Sequence, residues 1–250
     1  MILNEIIQAI CPLQVVGCTN DLQLDIRHLL TDSRQIGNEP EATLFFALKT
    51  DKNDGAKYIP QLIKRGVRTF VVTQNQYSYI SEIGDWNTII LVEDVLAALQ
   101  QLAIYKRSLY KGPVIGITGS NGKTVVKEWI AQCAPLDAKI FRSPRSYNSQ
   151  LGVALSLLML ENSYDVAIIE AGISQKGEME RLEKIIQPDM VIFTSIGDAH
   201  AQGFSSLEEK ISEKLLLAQN APNIIYHSAY SELAKAISST YHDRNLIDAA

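Results

Sequence analysis

The chain has 250 residues, 46% of them hydrophobic and 20% charged, with a formal net charge of -5. This suits a globular protein with one or two cores, and a mildly acidic balance without any run of Lys and Arg argues against a nucleic-acid-binding surface. Three cysteines, Cys11, Cys18 and Cys133, form no CxxC pair and leave one over, which reads as reduced thiols in a cytoplasmic protein. The first residues carry an early acid and no basic segment, so no signal peptide is expected. The longest apolar stretches, such as Val153–Leu160, are too short to span a bilayer.

Residues 1–85 mix short strand-like runs, Leu44–Leu48 and Thr69–Val72, with turn clusters such as Lys52-Asn53-Asp54-Gly55. A helix is predicted over Tyr58–Arg65, ended by Gly66. A longer one is predicted over Val92–Tyr110, where Val95, Leu96, Leu99, Leu102 and Ala103 recur at helical spacing. Lys111-Gly112-Pro113 then reads as a hinge between a domain 1–110 and a domain 111–250. From Val114 onward, apolar runs at Val114–Thr118, Lys139–Arg142, Asp165–Ala171, Met190–Ser195 and Asn223–His227 alternate with amphipathic helices. Among these are Lys123–Cys133, with Val126, Trp129, Ile130 and Cys133 as its apolar stripe, and Glu178–Gln187, with Met179, Leu182, Ile185 and Ile186. The predicted class is α/β: a small N-terminal α/β domain, then a P-loop-type parallel sheet covered by helices on both faces. In such sheets ligands sit beyond the carboxyl ends of the strands, so chemically useful residues are sought there.

Directly after Val114–Thr118 comes Gly119-Ser120-Asn121-Gly122-Lys123-Thr124, opening a helix. Glycines let a backbone curl around an anion, and the helix N-terminus adds partial positive charge. A lysine placed like Lys123 reaches the β- and γ-phosphates, and a hydroxyl placed like that of Thr124 ligates Mg²⁺. The general P-loop pattern asks for a glycine where this chain has Ile117; the nearest glycine is Gly116. Glu170 ends the run Asp165–Ile169, where a carboxylate can hold Mg²⁺ against phosphates, although a strand-ending acid alone reads as a solvated loop residue. After Met190–Ser195 come Gly197-Asp198-Ala199-His200, and a lone loop histidine reads as surface. Ser205 with Glu208 matches a capping box, opening a helix whose stripe is Leu207, Ile211 and Leu215. Lys210 and Lys214 fall off that stripe, and spacing alone does not separate them from a solvated face.

These segments together resemble the Mur ligase family, whose ATP loop begins TGxxGKT, as Thr118–Thr124 does. The resemblance implies that Thr118, Gly119, Ser120, Asn121, Gly122, Lys123 and Thr124 bind ATP. It implies that Thr124, Glu170 and His200 bind Mg²⁺, that Lys123, His200 and Lys214 are catalytic, and that Lys214, once carbamylated by CO₂, is a further metal ligand. Asp198 has no such role. Ser146-Tyr147-Asn148-Ser149-Gln150-Leu151-Gly152 is similar to the family's NxNNxxG substrate segment, matching at Asn148 and Gly152. Ser146, Ser149 and Ala154 depart from it. Thr31-Asp32-Ser33-Arg34, Leu44–Leu48 and Asp54-Gly55 resemble a uridine-nucleotide domain, which implies substrate contacts from Ser33, Arg34 and Phe46. Ala56 stands where the family often has histidine.

The resemblance implies a ligase of peptidoglycan synthesis that adds D-alanyl-D-alanine to UDP-MurNAc-tripeptide through an acyl phosphate. It implies no nucleic-acid partner and no membrane insertion. The family's third domain has no counterpart in the chain and the ATP domain reads as cut short after its fifth strand, so a fragment of a larger ligase is expected. The segment Arg145–Gln150 is also similar to that of ligases fused to an alanine racemase, and only such a fusion implies pyridoxal phosphate. A sibling ligase, a folylpolyglutamate synthase, a nucleotide-binding module without turnover and a degenerate paralogue remain as alternatives.

Overall fold

The computed structural model describes residues 1–18, 22–78, 86–197 and 203–250. By internal contacts the chain divides into two compact units, Met1–Leu102 and Ala103–Ala250. In the first unit α1 (Leu3–Ile10) buries Leu3, Ile6 and Ile10, the inward face of a short amphipathic helix. A five-stranded sheet follows from β1 (Gln14–Gly17), β2 (His28–Leu30), β3 (Thr43–Phe46), β4 (Thr69–Thr73) and β5 (Thr88–Val92), in the order β1-β5-β4-β3-β2. Only β1, paired with β5, runs antiparallel. Strands β3 and β5 are buried along their whole length, as strands covered on both faces must be.

Side-chain alternation along β3 decides the fate of its two phenylalanines. Phe45 joins the cluster with Ile59, Leu62, Phe70 and Leu91, meeting Phe70 edge-on at 6.4 Å. Phe46 points to the other face and has no exposed surface. Helix α2 (Ile59–Lys64) begins after a 3-10 turn, with Pro60 in its first turn, and short α3 (Gln74–Tyr77) follows β4. Helix α4 (Val95–Leu109) crosses the boundary between the units, and the Lys111-Gly112-Pro113 turn comes after it.

The second unit is built on β6 (Val114–Thr118), β7 (Ile140–Arg142), β8 (Val166–Glu170), β9 (Met190–Phe193), β10 (Asn223–Tyr226) and β11 (Asn245–Asp248), all parallel, in the order β11-β10-β9-β6-β8-β7. Crossovers run through α5 (Lys123–Cys133), α6 (Gln150–Leu158), α7 (Glu178–Ile186), α8 (Leu207–Leu215) and α9 (Ser231–Thr240). The chain leaves central β6 for the far edge at β7, returns to β8 on one side and then passes to β9 on the other. That reversal opens a crevice above β6 at the carboxyl ends.

Several expectations need correction here. The sheet has a sixth strand, β11, which a short run, Asn245–Asp248, did not announce. In α5 the deeply buried residue is Lys127, whereas Trp129 is 63% exposed and Cys133 is exposed; the apolar stripe chosen from spacing lies largely outward. Spacing alone does not separate Lys210 and Lys214 from a solvated face; both are buried, because the inner face of α8 packs beside the carboxyl ends of β6 and β9. The cap of α8 is also one residue later than expected. The Ser206 hydroxyl accepts from the Glu209 amide (3.1 Å), and Glu209 accepts from the Ser205 amide and hydroxyl.

Candidate active site

The loop after β6 is shaped by two glycines. Gly119 has φ +150° and Gly122 φ +85°, and a Cβ on Gly119 would lie 1.9 Å from Thr194 Oγ1. The close approach has a purpose: Thr194 Oγ1 donates to the Asn121 carbonyl (2.6 Å), and the Ser120 amide donates to the Ser195 carbonyl (2.7 Å). The Ser120 hydroxyl adds a bond to the Gly197 carbonyl (3.2 Å). The β9 tip therefore staples the loop in place, a role for Thr194 and Ser195 that no motif in the sequence marks. It also turns the Ser120 amide toward the protein. The donors left for an anion come from the start of α5, whose first amides have no carbonyl partner within the helix.

Lys123 Nζ donates to the carbonyls of Gly119 (2.8 Å) and Ser120 (3.3 Å), folded back on the loop it serves. Burial lowers its pKa; the negative charge of Glu170 opposes the shift and Lys210 adds to it. Register brings Glu170 level with Ile117, at the root of the loop. Glu170 is fully buried, and its Oε2 accepts from the Thr124 hydroxyl at 3.1 Å. A residue that sequence reasoning missed completes this corner. Lys127, one turn beyond Lys123 on α5, also has no exposed surface and sits 2.9 Å from Glu170 Oε1. That contact is an ion pair without the alignment of a hydrogen bond, since Oε1 counts among the buried oxygens lacking a hydrogen-bond partner. The only hint in the sequence was a lysine three residues after Thr124, on the same helical face.

Two buried oxygens, Thr118 Oγ1 and Glu170 Oε1, thus have no hydrogen-bond donor among the described residues. Together with the Thr124 hydroxyl they are hard oxygen donors beside a phosphate-sized loop. This fits Mg²⁺, which takes one or two protein ligands and completes its shell with phosphates and water. Among the described residues no three His, Cys, Asp or Glu side chains gather for a cation. His200 and Asp198 lie outside the described residues, so the expected histidine ligand has no position here.

Two lysines from α8 close the other side. Lys210 Nζ donates to the Gly197 carbonyl (2.6 Å) and Lys214 Nζ to the Gly119 carbonyl (3.2 Å), so Gly119 serves Lys123 and Lys214 at once. Burial, then the positive charges of Lys123 and Lys210, lower the Lys214 pKa to about 7. A substantial neutral fraction at physiological pH is what reaction with CO₂ requires. The folded pKa is depressed below 10.5, so between about 7 and 10.5 the unfolded chain binds a proton that the folded chain does not. Stability from this group therefore rises with pH across that window and is least, and flat, below it. Lys214→Met is expected to remove the rise, read as urea midpoints at about pH 7 and pH 9. An unchanged pH slope in the variant would show that Lys214 is not its source.

The expected substrate segment meets the same corner. The Asn148 carbonyl accepts from the Gly172 amide (2.8 Å), and a Cβ on Gly172 would strike the Asn148 side chain at 2.9 Å. Asn148 thus lies against the residues that follow Glu170.

In the first unit Ser33 and Arg34 follow β2 and Phe46 ends β3, two strands paired at Leu30 and Phe45. Arg34 lays its exposed guanidinium on Asp32, with the closest contact at 2.7 Å, and this contact holds the Asp32 carboxyl down at about 2. Ser33 sits in the same 3-10 turn. Phe46 is a core residue, a correction to its expected ligand contact, since β3 is covered on both faces and the face that Phe46 takes is also closed to solvent. A cavity of about 470 Å³ lies instead over the 49–57 segment, lined by Lys49, Lys52, Asn53, Asp54, Ala56 and Lys57 among others. None of Ser33, Arg34 and Phe46 is among its lining residues.

Residues 117–242 match the Mur ligase middle domain. The UDP-N-acetylmuramoyl-tripeptide–D-alanyl-D-alanine ligase of Borreliella burgdorferi is 32% identical over 204 residues, covering 80% of this chain and 44% of that protein. The enzyme of the same name from Bacillus subtilis is 31% identical over 193 residues, 77% of this chain and 41% of its own length. This chain therefore spans less than half the length of these relatives. Among solved structures, MurF from Acinetobacter baumannii superposes with a TM-score of 0.85 at 24% identity, covering 98% of this chain and 52% of that one. MurF from Thermotoga maritima, solved in complex with ADP, gives 0.76 at 25% identity, covering 89% and 50%. A stapled phosphate loop on a parallel sheet, with the Thr124 hydroxyl against Glu170, is here joined to a middle-domain match, and on these grounds the chain belongs to the Mur ligase family.

Proposed function

We propose that this chain takes part in adding D-alanyl-D-alanine to UDP-MurNAc-tripeptide at the expense of ATP, a step of peptidoglycan precursor synthesis in the cytoplasm. Residues 1–110 serve as the UDP-substrate domain and residues 111–250 as the ATP domain. The observation that carries the reading is the meeting of Thr124 and Glu170 at the foot of the β6–α5 loop, 3.1 Å apart. The names of the similar proteins support the choice of acceptor and amine. No helix among the described residues is long and apolar enough to cross a membrane.

The loop residues Thr118–Thr124 receive the triphosphate, and Lys123 leaves its carbonyl partners to meet the β- and γ-phosphates. An oxygen of the tripeptide's terminal carboxylate attacks the γ-phosphorus, and the bond to the bridging oxygen breaks to release ADP. The amine of D-alanyl-D-alanine then attacks the acyl carbon and loses a proton, and phosphate departs with its bonding electrons. Thr124 and Glu170, with His200 and a carbamylated Lys214, would hold magnesium, which would neutralise phosphate charge. The carbamate forms when the neutral Lys214 amine attacks CO₂ and sheds a proton. Orientation and charge neutralisation supply most of the rate, as in other phosphoryl transfers.

Titration calorimetry tests the acceptor. UDP-MurNAc-tripeptide is expected to bind about tenfold more tightly than UDP-MurNAc-dipeptide, roughly 1.4 kcal/mol, with ADP released over many turnovers only when D-alanyl-D-alanine is added. Equal or reversed affinities would assign a sibling ligase. Nucleotide binding without ADP release would leave a binding module.

A further inference from the structure

We propose that Lys127 is a positioning residue that couples the nucleotide site to the substrate-side loop, its buried ammonium joining Glu170 to the backbone of residues 143–145. The inference rests on the reading of the site as one for Mg²⁺ and ATP. Lys127 Nζ donates to the carbonyls of Ser143 (2.8 Å) and Arg145 (2.5 Å) while facing Glu170 Oε1 at 2.9 Å. Glu128 is the further acid within reach, at 3.4 Å. An ammonium carries three donors; two are met by the Ser143 and Arg145 carbonyls, and the buried Glu170 carboxylate faces it as an ion pair. An apolar side chain would fill the same space without the cost of desolvating a charge. What lysine adds is direction.

The loop is shaped around that group. Arg145 adopts φ +49°, the left-handed region that non-glycine residues avoid, and in that conformation its carbonyl meets the ammonium. Beyond it the Asn148 amide donates to the Ser146 carbonyl (2.8 Å), and the Asn148 carbonyl receives the Gly172 amide. At the near end the Ser143 hydroxyl accepts from the Glu170 amide (3.3 Å). The loop is therefore tied to the β8 tip at both ends, with Lys127 between them.

The two oxygens of Glu170 divide the work, Oε1 toward Lys127 and Oε2 toward Thr124. When the Thr124 hydroxyl is drawn to a cation and its phosphates, Glu170 gives up that bond and its charge turns to the cation. The hold of Oε1 on the ammonium weakens, and the bonds that Lys127 already makes to the Ser143 and Arg145 carbonyls take more of its charge. Occupying the phosphate loop thereby orders residues 143–148. By reciprocity, a ligand that orders this loop tightens Mg²⁺·ATP binding.

Amide hydrogen exchange read by NMR or mass spectrometry, with and without saturating Mg²⁺ and ATP, tests the coupling. In the wild-type chain, exchange at Tyr147, Asn148 and Gly172 is expected to slow by at least about threefold when nucleotide is added. In Lys127→Gln, ATP still binds and the slowing disappears. A purely structural role would instead speed exchange equally with and without nucleotide. Glu170→Gln, which keeps the shape but not the charge, is expected to lose the slowing too at a Mg²⁺ and ATP concentration that calorimetry shows to saturate it, and serves if the lysine variant does not fold. Indifference of the wild-type loop to Mg²⁺·ATP, or slowing that survives in either variant, overturns the coupling. A wild-type chain that binds no ATP in calorimetry fails earlier and differently: it removes the nucleotide reading, and the coupling with it.

Discussion

Lys123→Ala is expected to weaken ATP binding by about 100-fold, the equivalent of about 3 kcal/mol and the sum of two hydrogen bonds to charged phosphate oxygens at about 1.5 kcal/mol each. The side chain now folds back on the Gly119 and Ser120 carbonyls, so it is poised within the loop, not anchored elsewhere in the fold. Removing it leaves the Thr194 and Ser195 staples intact, so the change is expected in affinity and not in the melting temperature. It also takes one positive charge from beside Lys214, whose pKa should move back up. Calorimetry with ATP gives the affinity and NMR titration of the lysine side chains gives the shift. An affinity within threefold of wild type would show that the phosphates lie somewhere other than this loop.

The second large effect is on stability. Lys127 and Glu170 are both fully buried and are each other's nearest opposite charge. Breaking such a pair from one side strands the other charge in a low-dielectric interior, which costs about 3–5 kcal/mol. Lys127→Met is expected to lower the urea midpoint of the second unit accordingly. Lys127→Met/Glu170→Gln removes both charges and keeps both volumes, so the double variant should recover more than half of that loss. The cycle isolates the pair from the hydrogen bonds that Lys127 also makes to Ser143 and Arg145. Additive losses would mean that the backbone bonds, and not the ion pair, account for the burial of this lysine.

How legible each part of the site was depended on how far apart in sequence its causes lie. The phosphate loop was legible because its causes are adjacent. A buried strand, two glycines that take positive φ and a helix start occupy one short stretch, although the residues that staple the turn, Thr194 and Ser195, lie far along the chain. Glu170 was legible through a rule about strand tips, and the observed register places it where the rule expected. The helices α7 and α8 were legible from period, since their apolar residues are neighbours on one face. Strands β5 and β11 were not, because short runs carry too few alternations to set them apart from helix or loop.

By itself, then, the sequence determined the class of fold, the phosphate loop and the family, all written in contiguous residues. Only the tertiary structure decided which charges are buried and what they face. Thr124 and Glu170 are 46 residues apart and Lys214 and Gly119 are 95 apart, yet each pair meets. Spacing along α8 put Lys210 and Lys214 off the apolar stripe without deciding between solvent and a buried site, and spacing along α5 did not single out Lys127. The sheet turns those helical faces toward carbonyls and a carboxylate at its carboxyl ends. A periodicity argument knows only that a face is not apolar. Whether that face meets solvent or a polar interior is settled by what the other strands deliver opposite it.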